Sequence, residues 1–234
     1  MSVAKPRIRR PEHSGADMTP VDLSQAYNWP RRAGSDEWWQ KLAEHAKTLP
    51  SGRQVSWGIP FQLAGKRGPR AVVVAQDRPE VVIPLGQKAT YLCMLHNWVQ
   101  RSEDIDRELP REGTVAGEYV LTYTDGTTAT QAVRARFEVP MVESPGSPWL
   151  SMPMAMPESA DPAKPTADAP WGFMQHGIKP GTFAVGAFYL VYALPNPHPE
   201  KTIRSLTVRG RHASPLFLGA LTLFRGTAHP LAHL

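Results

Sequence analysis

The stretch "NPHPE", residues 196–200, is the part of this chain whose residue types most suggest chemistry. A histidine stands between two prolines, and an asparagine and a glutamate flank them. A catalytic histidine needs a base or an orienting partner, and the neighbouring sequence supplies no recognisable set. Because the residue before a proline is pushed towards an extended conformation, the same stretch also suits a rigid corner that aims the following strand. We favour the corner over a reactive loop.

Other histidines are scattered along the chain and show no metal-ligand spacing such as H-E-x-x-H. They include His45, His96, His176, His212, His229 and His233. A zinc site assembled from distant histidines stays an alternative without a recognisable ligand pair. The chain also lacks G-x-S-x-G, P-loop and dinucleotide-binding glycine motifs, which lowers the expectation of an enzyme without excluding one.

The segment "SEDIDRELP", residues 102–110, gathers four acidic side chains. Alternating carboxylates can bind calcium through their oxygens, although the EF-hand pattern is absent. A solvated acidic loop is the favoured interpretation, and a structural calcium ion is the alternative. The four acids are Glu103, Asp104, Asp106 and Glu108. We expect no other cofactor.

Two of the seven tryptophans, Trp149 and Trp171, lie near the ends of a long segment rich in Pro, Ser, Ala and Met. This segment, residues 140–170, has neither strand nor helix periodicity, and loops of such length are usually functional or mobile. An exposed indole offers a flat apolar face and a hydrogen-bond donor, which suits stacking on a sugar ring. We predict that these two residues bind a ligand; packing of the loop onto a sheet is the alternative. Trp39 and Trp57 are expected in the core.

Net charge and cysteine content exclude several classes of protein. The chain carries +5, but Lys5, Arg7, Arg9 and Arg10 lie in the first ten residues, which contain no acid, so the remainder carries only +1. A nearly neutral body does not supply a nucleic-acid surface. No apolar run is long enough to span a membrane, and no secretory signal is visible, so the compartment is undetermined. The single cysteine, Cys93, excludes an intrachain disulfide and suits a core position.

The 24 prolines and closely spaced turn signals predict an all-β protein of short strands joined by rigid loops. One helix is expected within residues 35–49, where Trp39, Leu42, Ala43 and Ala46 share a face and Trp38 points elsewhere. The predicted strands are 61–63, 71–75, 81–83, 89–98, 117–123, 128–139, 183–193, 202–208 and 216–224, besides a short one near the start of 21–28.

One hairpin can be predicted with its register. A three-residue loop, residues 124–126, pairs Leu121 with Ala129 and directs both apolar faces towards one core, whereas a two-residue Asp-Gly loop would place them on opposite sides. The three-residue loop requires a positive φ at Gly126. The expected sandwich core includes Leu121, Val133, Phe137, Leu190 and Leu206.

Six stretches in order resemble the galactose-binding-domain-like jelly rolls that accompany bacterial glycoside hydrolases. They are "VDLSQAYN", "SWGIPFQL", "ATYLCMLHNW", "GEYVLTYTDGT", "NPHPEKTIRSLTV" and "FLGALTL". The resemblance covers roughly residues 20–225 and implies a jelly-roll β-sandwich in a sugar-related context. It carries over no ligand residue, and it implies that the Asn-Pro-His-Pro stretch is a structural loop entering a late strand.

We therefore predict a basic irregular arm over residues 1–20 and a single jelly-roll β-sandwich over 21–234, with one short N-terminal helix packed on it. The predicted function is non-catalytic: a carbohydrate-recognition or accessory domain that binds a glycan or polysaccharide and belongs to a larger carbohydrate-active protein with further domains. The near-neutral body favours a neutral polysaccharide held by stacking. The alternatives are a carbohydrate-active hydrolase or lyase, and a purely structural or assembly domain.

Overall fold

The computed structural model describes residues 17–29, 37–100, 111–140, 148–154 and 189–231. These residues form an all-β protein with two antiparallel sheets, one small hairpin and one helix. The elements are β1 (Met18–Val21), α1 (Glu37–Thr48), β2 (Arg53–Ser56), β3 (Ile59–Gln62), β4 (Val72–Val74), β5 (Glu80–Gln87), β6 (Tyr91–Trp98), β7 (Val115–Tyr123), β8 (Thr128–Arg134), β9 (Ser151–Pro153), β10 (Leu190–Pro195), β11 (Ile203–Gly210) and β12 (Leu216–Phe224). The predicted β-sandwich is confirmed, while the jelly-roll topology stays a prediction.

The larger sheet has the order β1-β12-β6-β10-β9. Strand β4 pairs with the N-terminal part of β12, which β1 leaves unpaired. The smaller sheet has the order β5-β11-β7-β8. The inter-sheet core lies between them and contains aliphatic and tyrosine side chains from both, including the predicted Leu121, Val133 and Leu206. Leu190 is buried on β10 as well.

The larger sheet also buries its second face. Phe217 and Phe224 of β12 and Leu95 of β6 point away from the inter-sheet core and pack under helix α1 and the β2-β3 hairpin. A strand covered on both faces has no polar side to show, which explains why all nine residues of β12 are buried and why its sequence does not alternate. The molecule thus has three layers: the smaller sheet, the larger sheet, and helix α1 with the β2-β3 hairpin. The sequence predicted the two sheets and the packed helix.

The helix contacts this second core through Leu42, which is buried, and through Trp39 and Ala43. Trp38, which was predicted to point elsewhere, packs against the same core and meets Trp39 edge-on at a ring distance of 4.9 Å. The helix end therefore offers two indoles to the sheet rather than one. Trp57 is buried, as predicted.

The hairpin between β7 and β8 has the predicted register. Leu121 pairs with Ala129, the Tyr123 amide donates to the Thr127 carbonyl at 2.9 Å, and Gly126 has a φ of +88°. The strand β8 nevertheless ends at Arg134, five residues earlier than predicted. The chain turns there, with Arg136 at a φ of +75°, and Phe137 lies in the turn. The predicted core position of Phe137 is wrong for that reason.

Two segments that were predicted to be irregular contain strands. Strand β1 begins at Met18, so residues 18–20 of the predicted arm pair with β12, and residues 1–16 lie outside the described residues. Strand β9 lies within the predicted loop 140–170 and forms the edge of the larger sheet beside β10.

The "NPHPE" stretch is a corner built on the buried side chain of Asn196. Its Oδ1 accepts the Tyr123 hydroxyl at 2.6 Å and the His198 amide at 3.0 Å, and its Nδ2 donates to the carbonyls of Ala89 and His198. The asparagine thus joins the segment between β10 and β11 to the end of β7 and to the segment between β5 and β6. The ring of His198 packs edge-on against Tyr123, and its Nδ1 lies 3.6 Å from the exposed Glu200 carboxylate.

Candidate functional site

A cleft of about 420 Å³ lies where the turn after β8, the segment before β9, strand β10 and the chain end after β12 come together. This volume is within the range of small-molecule sites, about 300–1,000 Å³. Its lining combines aromatic, apolar and hydrogen-bonding side chains: Gln131, Arg134, Glu138, Trp149, Leu150, Tyr192, Ala193, Pro195, His229 and Leu231. We take this cleft as the candidate site.

The turn after β8 is held by an ion pair between Arg134 and Glu138. The Glu138 carboxylate is fully buried; its Oε1 accepts from Arg134 Nη2 at 2.7 Å, and its Oε2 accepts from Nε at 3.2 Å. The same Oε2 also accepts the Arg134 amide at 2.8 Å. The guanidinium lies over the ring of Phe137, 4.5 Å from its centroid. These contacts fix the guanidinium at the cleft wall, with about a third of the Arg134 side chain exposed.

Trp149 is the most exposed large hydrophobic side chain among the described residues, at 60 %. Its amide donates to the Arg136 carbonyl, and the next amide, of Leu150, donates to the Phe137 carbonyl. The indole meets the Phe137 ring edge-on at 5.0 Å, and the Arg136 guanidinium lies 5.7 Å from its centroid. A large aromatic surface is therefore held firmly by its backbone and left open at the rim of the cleft.

Behind the cleft, a buried histidine ties its walls together. His96 on β6 places Nε2 2.9 Å from the Glu138 carbonyl and Nδ1 2.9 Å from the Tyr119 hydroxyl. Since a carbonyl only accepts, Nε2 carries the proton and the tyrosine hydroxyl donates to Nδ1. Ser151, at the start of β9, donates to the same Glu138 carbonyl. Desolvation by burial lowers the pKa of His96 to about 4, so the ring is neutral at pH 7.

Tyr192 on β10 stacks on His96, with ring centroids 5.3 Å apart and an angle of 5° between the planes. Only 5 % of this tyrosine is exposed, and its hydroxyl has no hydrogen-bond partner within the described part of the chain. Burial, and next the negative charge of Glu138, raise the pKa of the phenol, which therefore keeps its proton at neutral pH. The cleft is thus lined by a tyrosine whose hydroxyl no described residue uses.

His229, in the chain end after β12, completes the opposite wall. Its Nδ1 accepts the Leu231 amide at 3.1 Å, and its ring meets Tyr91 edge-on at 5.0 Å. Partial burial lowers the pKa of this histidine, so that the neutral form, with its proton on Nε2, is favoured.

A second cleft, of about 360 Å³, lies between the residues after β1 and the end of β3. Three of its polar side chains already make hydrogen bonds within the protein. The Tyr27 hydroxyl donates to the Gly219 carbonyl, Asp22 accepts the Ser24 amide, and Gln62 donates to the Leu63 carbonyl. It offers a ligand fewer free groups than the first cleft.

The structure places the two predicted ligand-binding residues differently. Trp149 lines the first cleft, whereas Trp171 lies outside the described residues, as do the four acids of the predicted calcium loop. The described residues contain no group of three or more His, Cys, Asp or Glu side chains that could hold a metal ion. Cys93 is buried in the second core, and His212 packs edge-on against Trp98.

Sequence reasoning missed Arg134, Glu138, Tyr192 and His229 as members of one site. They come from three separate segments, and no spacing between them forms a motif. The one local signal was the Arg-x-x-x-Glu pair at 134 and 138, which a strand interpretation of residues 128–139 concealed.

Comparison with known proteins gives no assignment. No protein-family model matches the chain, and neither a curated protein nor a solved structure matches it. Within the described residues, no helix is sufficiently long and apolar to cross a membrane. The fold and the cleft define an all-β sandwich domain with one candidate ligand site.

Proposed function

We propose that this protein is a non-catalytic carbohydrate-recognition domain and that the cleft beside Trp149 binds a glycan. The observation that carries the proposal is the exposed indole of Trp149, which is held at the rim of a cleft whose floor presents the hydroxyl of Tyr192. Sugar rings are recognised by stacking on a flat aromatic face together with a few oriented hydrogen bonds. The resemblance to galactose-binding-like jelly rolls supports the same function and extends it to an accessory role beside carbohydrate-active domains.

The cleft gives less support to a hydrolase. Most glycosidases need two carboxyl groups that flank the scissile bond. Among the described lining residues, Glu138 is the one carboxylate, and Arg134 already occupies both of its oxygens. Recognition without hydrolysis is the function that these contacts support best.

A glycan array followed by titration of the bound sugars, monitored by tryptophan fluorescence, tests the proposal. We expect Trp149→Ala to weaken binding about threefold to tenfold, since aromatic stacking contributes about 0.5–1.5 kcal/mol beyond area burial. Trp149→Phe keeps a flat ring and should retain most of the affinity. Val82→Ala removes an apolar side chain of similar exposure, 55 %, on the smaller sheet and serves as the matched control.

Trp171→Ala belongs in the same series because the sequence predicts either tryptophan as the platform. Equal binding by the parent and both alanine variants would exclude these tryptophans as the platform. A complete absence of glycan binding would refute the proposed function, and an assay for release of reducing ends on the same sugars would reveal a hydrolase or lyase instead.

A further inference from the structure

The free hydrogen-bonding groups in the cleft are mostly donors, and this imbalance narrows the class of ligand. Arg134 uses one edge of its guanidinium, Nε and Nη2, on Glu138. Its Nη1 has no acceptor in the described part of the protein, so the second edge of the fork remains available at the cleft wall. A guanidinium edge presents two parallel N–H groups, the arrangement that matches the two oxygens of a carboxylate.

Tyr192 and His229 add to the donor side. The Tyr192 hydroxyl has no hydrogen-bond partner among the described residues, although only 5 % of the residue is exposed, so it is available to a ligand in the cleft. The Leu231 amide donates to Nδ1 of His229, so the ring proton lies on Nε2. This N–H has no acceptor among the described residues.

Acceptors are scarce on the same walls. The Glu138 carboxylate is held by Arg134, and the Gln131 side chain donates to the Ala132 carbonyl, so the Gln131 amide oxygen and the lone pairs of the Tyr192 hydroxyl are the side-chain acceptors that remain there among the described residues. A neutral sugar presents hydroxyl groups that both donate and accept, whereas a carboxylate only accepts. A donor-rich cleft therefore complements an acceptor-rich ligand better than a neutral one.

We infer that the cleft selects a sugar that carries a carboxylate, a uronic acid, with that carboxylate between the free guanidinium edge of Arg134 and the hydroxyl of Tyr192. The inference rests on the proposed function and deepens it. Trp149 supplies the stacking surface for the ring, and Arg134 and Tyr192 determine which ring is preferred.

The test compares a short oligogalacturonate with its carboxyl-reduced counterpart, which keeps the backbone and linkages but replaces each carboxylate by a hydroxymethyl group. Both are titrated into the full chain by calorimetry at low and moderate salt. We expect the acidic oligomer to bind at least about tenfold more tightly, since a hydrogen bond to a charged group contributes about 1.5–3 kcal/mol. The difference should shrink as salt rises, because part of the interaction is screened.

Tyr192→Phe is the matched variant, since it removes one hydroxyl that has no protein partner in the described structure. It should lower the affinity for the acidic oligomer about tenfold, lower the affinity for the reduced oligomer by a smaller factor and leave the melting temperature unchanged. A sulfated galactan oligomer serves as the third ligand, because a sulfate is also acceptor-rich and anionic.

The outcomes separate this inference from the function on which it rests. Tighter binding of the acidic oligomer, lost in Tyr192→Phe, supports the inference. Equal or tighter binding of the reduced oligomer overturns the inference and leaves glycan recognition intact. Equal binding of the sulfated oligomer overturns the assignment to a carboxylate. If no oligomer binds and the glycan array is also silent, both proposals fail.

Discussion

Acidification from pH 6.5 to 4 should destabilise this protein through His96. The pKa of this histidine falls from 6.5 to about 4 because burial disfavours the charged ring. Between these two pH values the unfolded chain binds a proton that the folded protein does not, so stability is lost as the pH falls. The loss begins near pH 6.5 and is complete near pH 4. At about 1.4 kcal/mol for each pKa unit, it amounts to about 3 kcal/mol.

Urea unfolding at a series of pH values measures this loss, and His96→Gln isolates its source. Glutamine retains a donor for the Glu138 carbonyl but does not titrate. The variant should therefore be less stable at pH 7, and its free energy of unfolding should change little between pH 6.5 and 4. His229→Gln is the control, since that ring is largely exposed and its smaller pKa shift should change the slope little. If the free energy of unfolding of His96→Gln falls as steeply with decreasing pH as that of the parent, the buried ring is not responsible.

Two further predictions concern turns. Gly126→Val should cost about 1–2 kcal/mol in a urea melt, because its φ is +88° and a side chain there would meet no atom within 4 Å, so the whole cost is backbone strain. Gly65→Val, equally open but without a positive φ, should cost much less, and equal costs would contradict the strain argument. Asn196→Ala should cost about 2–4 kcal/mol by leaving several buried partners unsatisfied. Tyr123→Phe removes one of those bonds and should cost about 1 kcal/mol; a larger loss than in Asn196→Ala would contradict the corner's dependence on the asparagine.

The β7-β8 hairpin shows what the sequence could predict. Its register followed from one requirement, that the apolar residues of both strands face a single core, and the structure confirms the pairing and the glycine conformation. The end of β8 shows the limit. Val133, Ala135, Phe137 and Val139 alternate as a strand would, yet the chain turns at Arg136. The turn is stabilised by Glu138, which caps the Arg134 amide and pairs with its guanidinium, and alternation cannot reveal a side chain that folds back on its own strand.

The third layer was predicted only in part: the sequence predicts the packed helix α1 but not strand β2 beside it. A continuous apolar run such as β12 indicates that both faces are covered but does not say by what. Helix α1 and the β2-β3 hairpin cover this face. Strand β2 has a polar sequence and was not predicted as a strand.

The inferred preference for a uronic acid differs from the neutral polysaccharide that bulk charge favours. Apart from its first ten residues the chain carries a net charge of only +1, which favoured a neutral polysaccharide. Screening at physiological salt confines a ligand's response to charges within about 8 Å, so what matters is the few groups around the cleft. There the buried Glu138 neutralises Arg134 without using all of its donors, and Tyr192 adds a hydroxyl with no described partner. A nearly neutral chain and a preference for an acidic sugar are therefore compatible. Glu138 neutralises the charge of Arg134, but Arg134 and Tyr192 keep hydrogen-bond donors for a ligand.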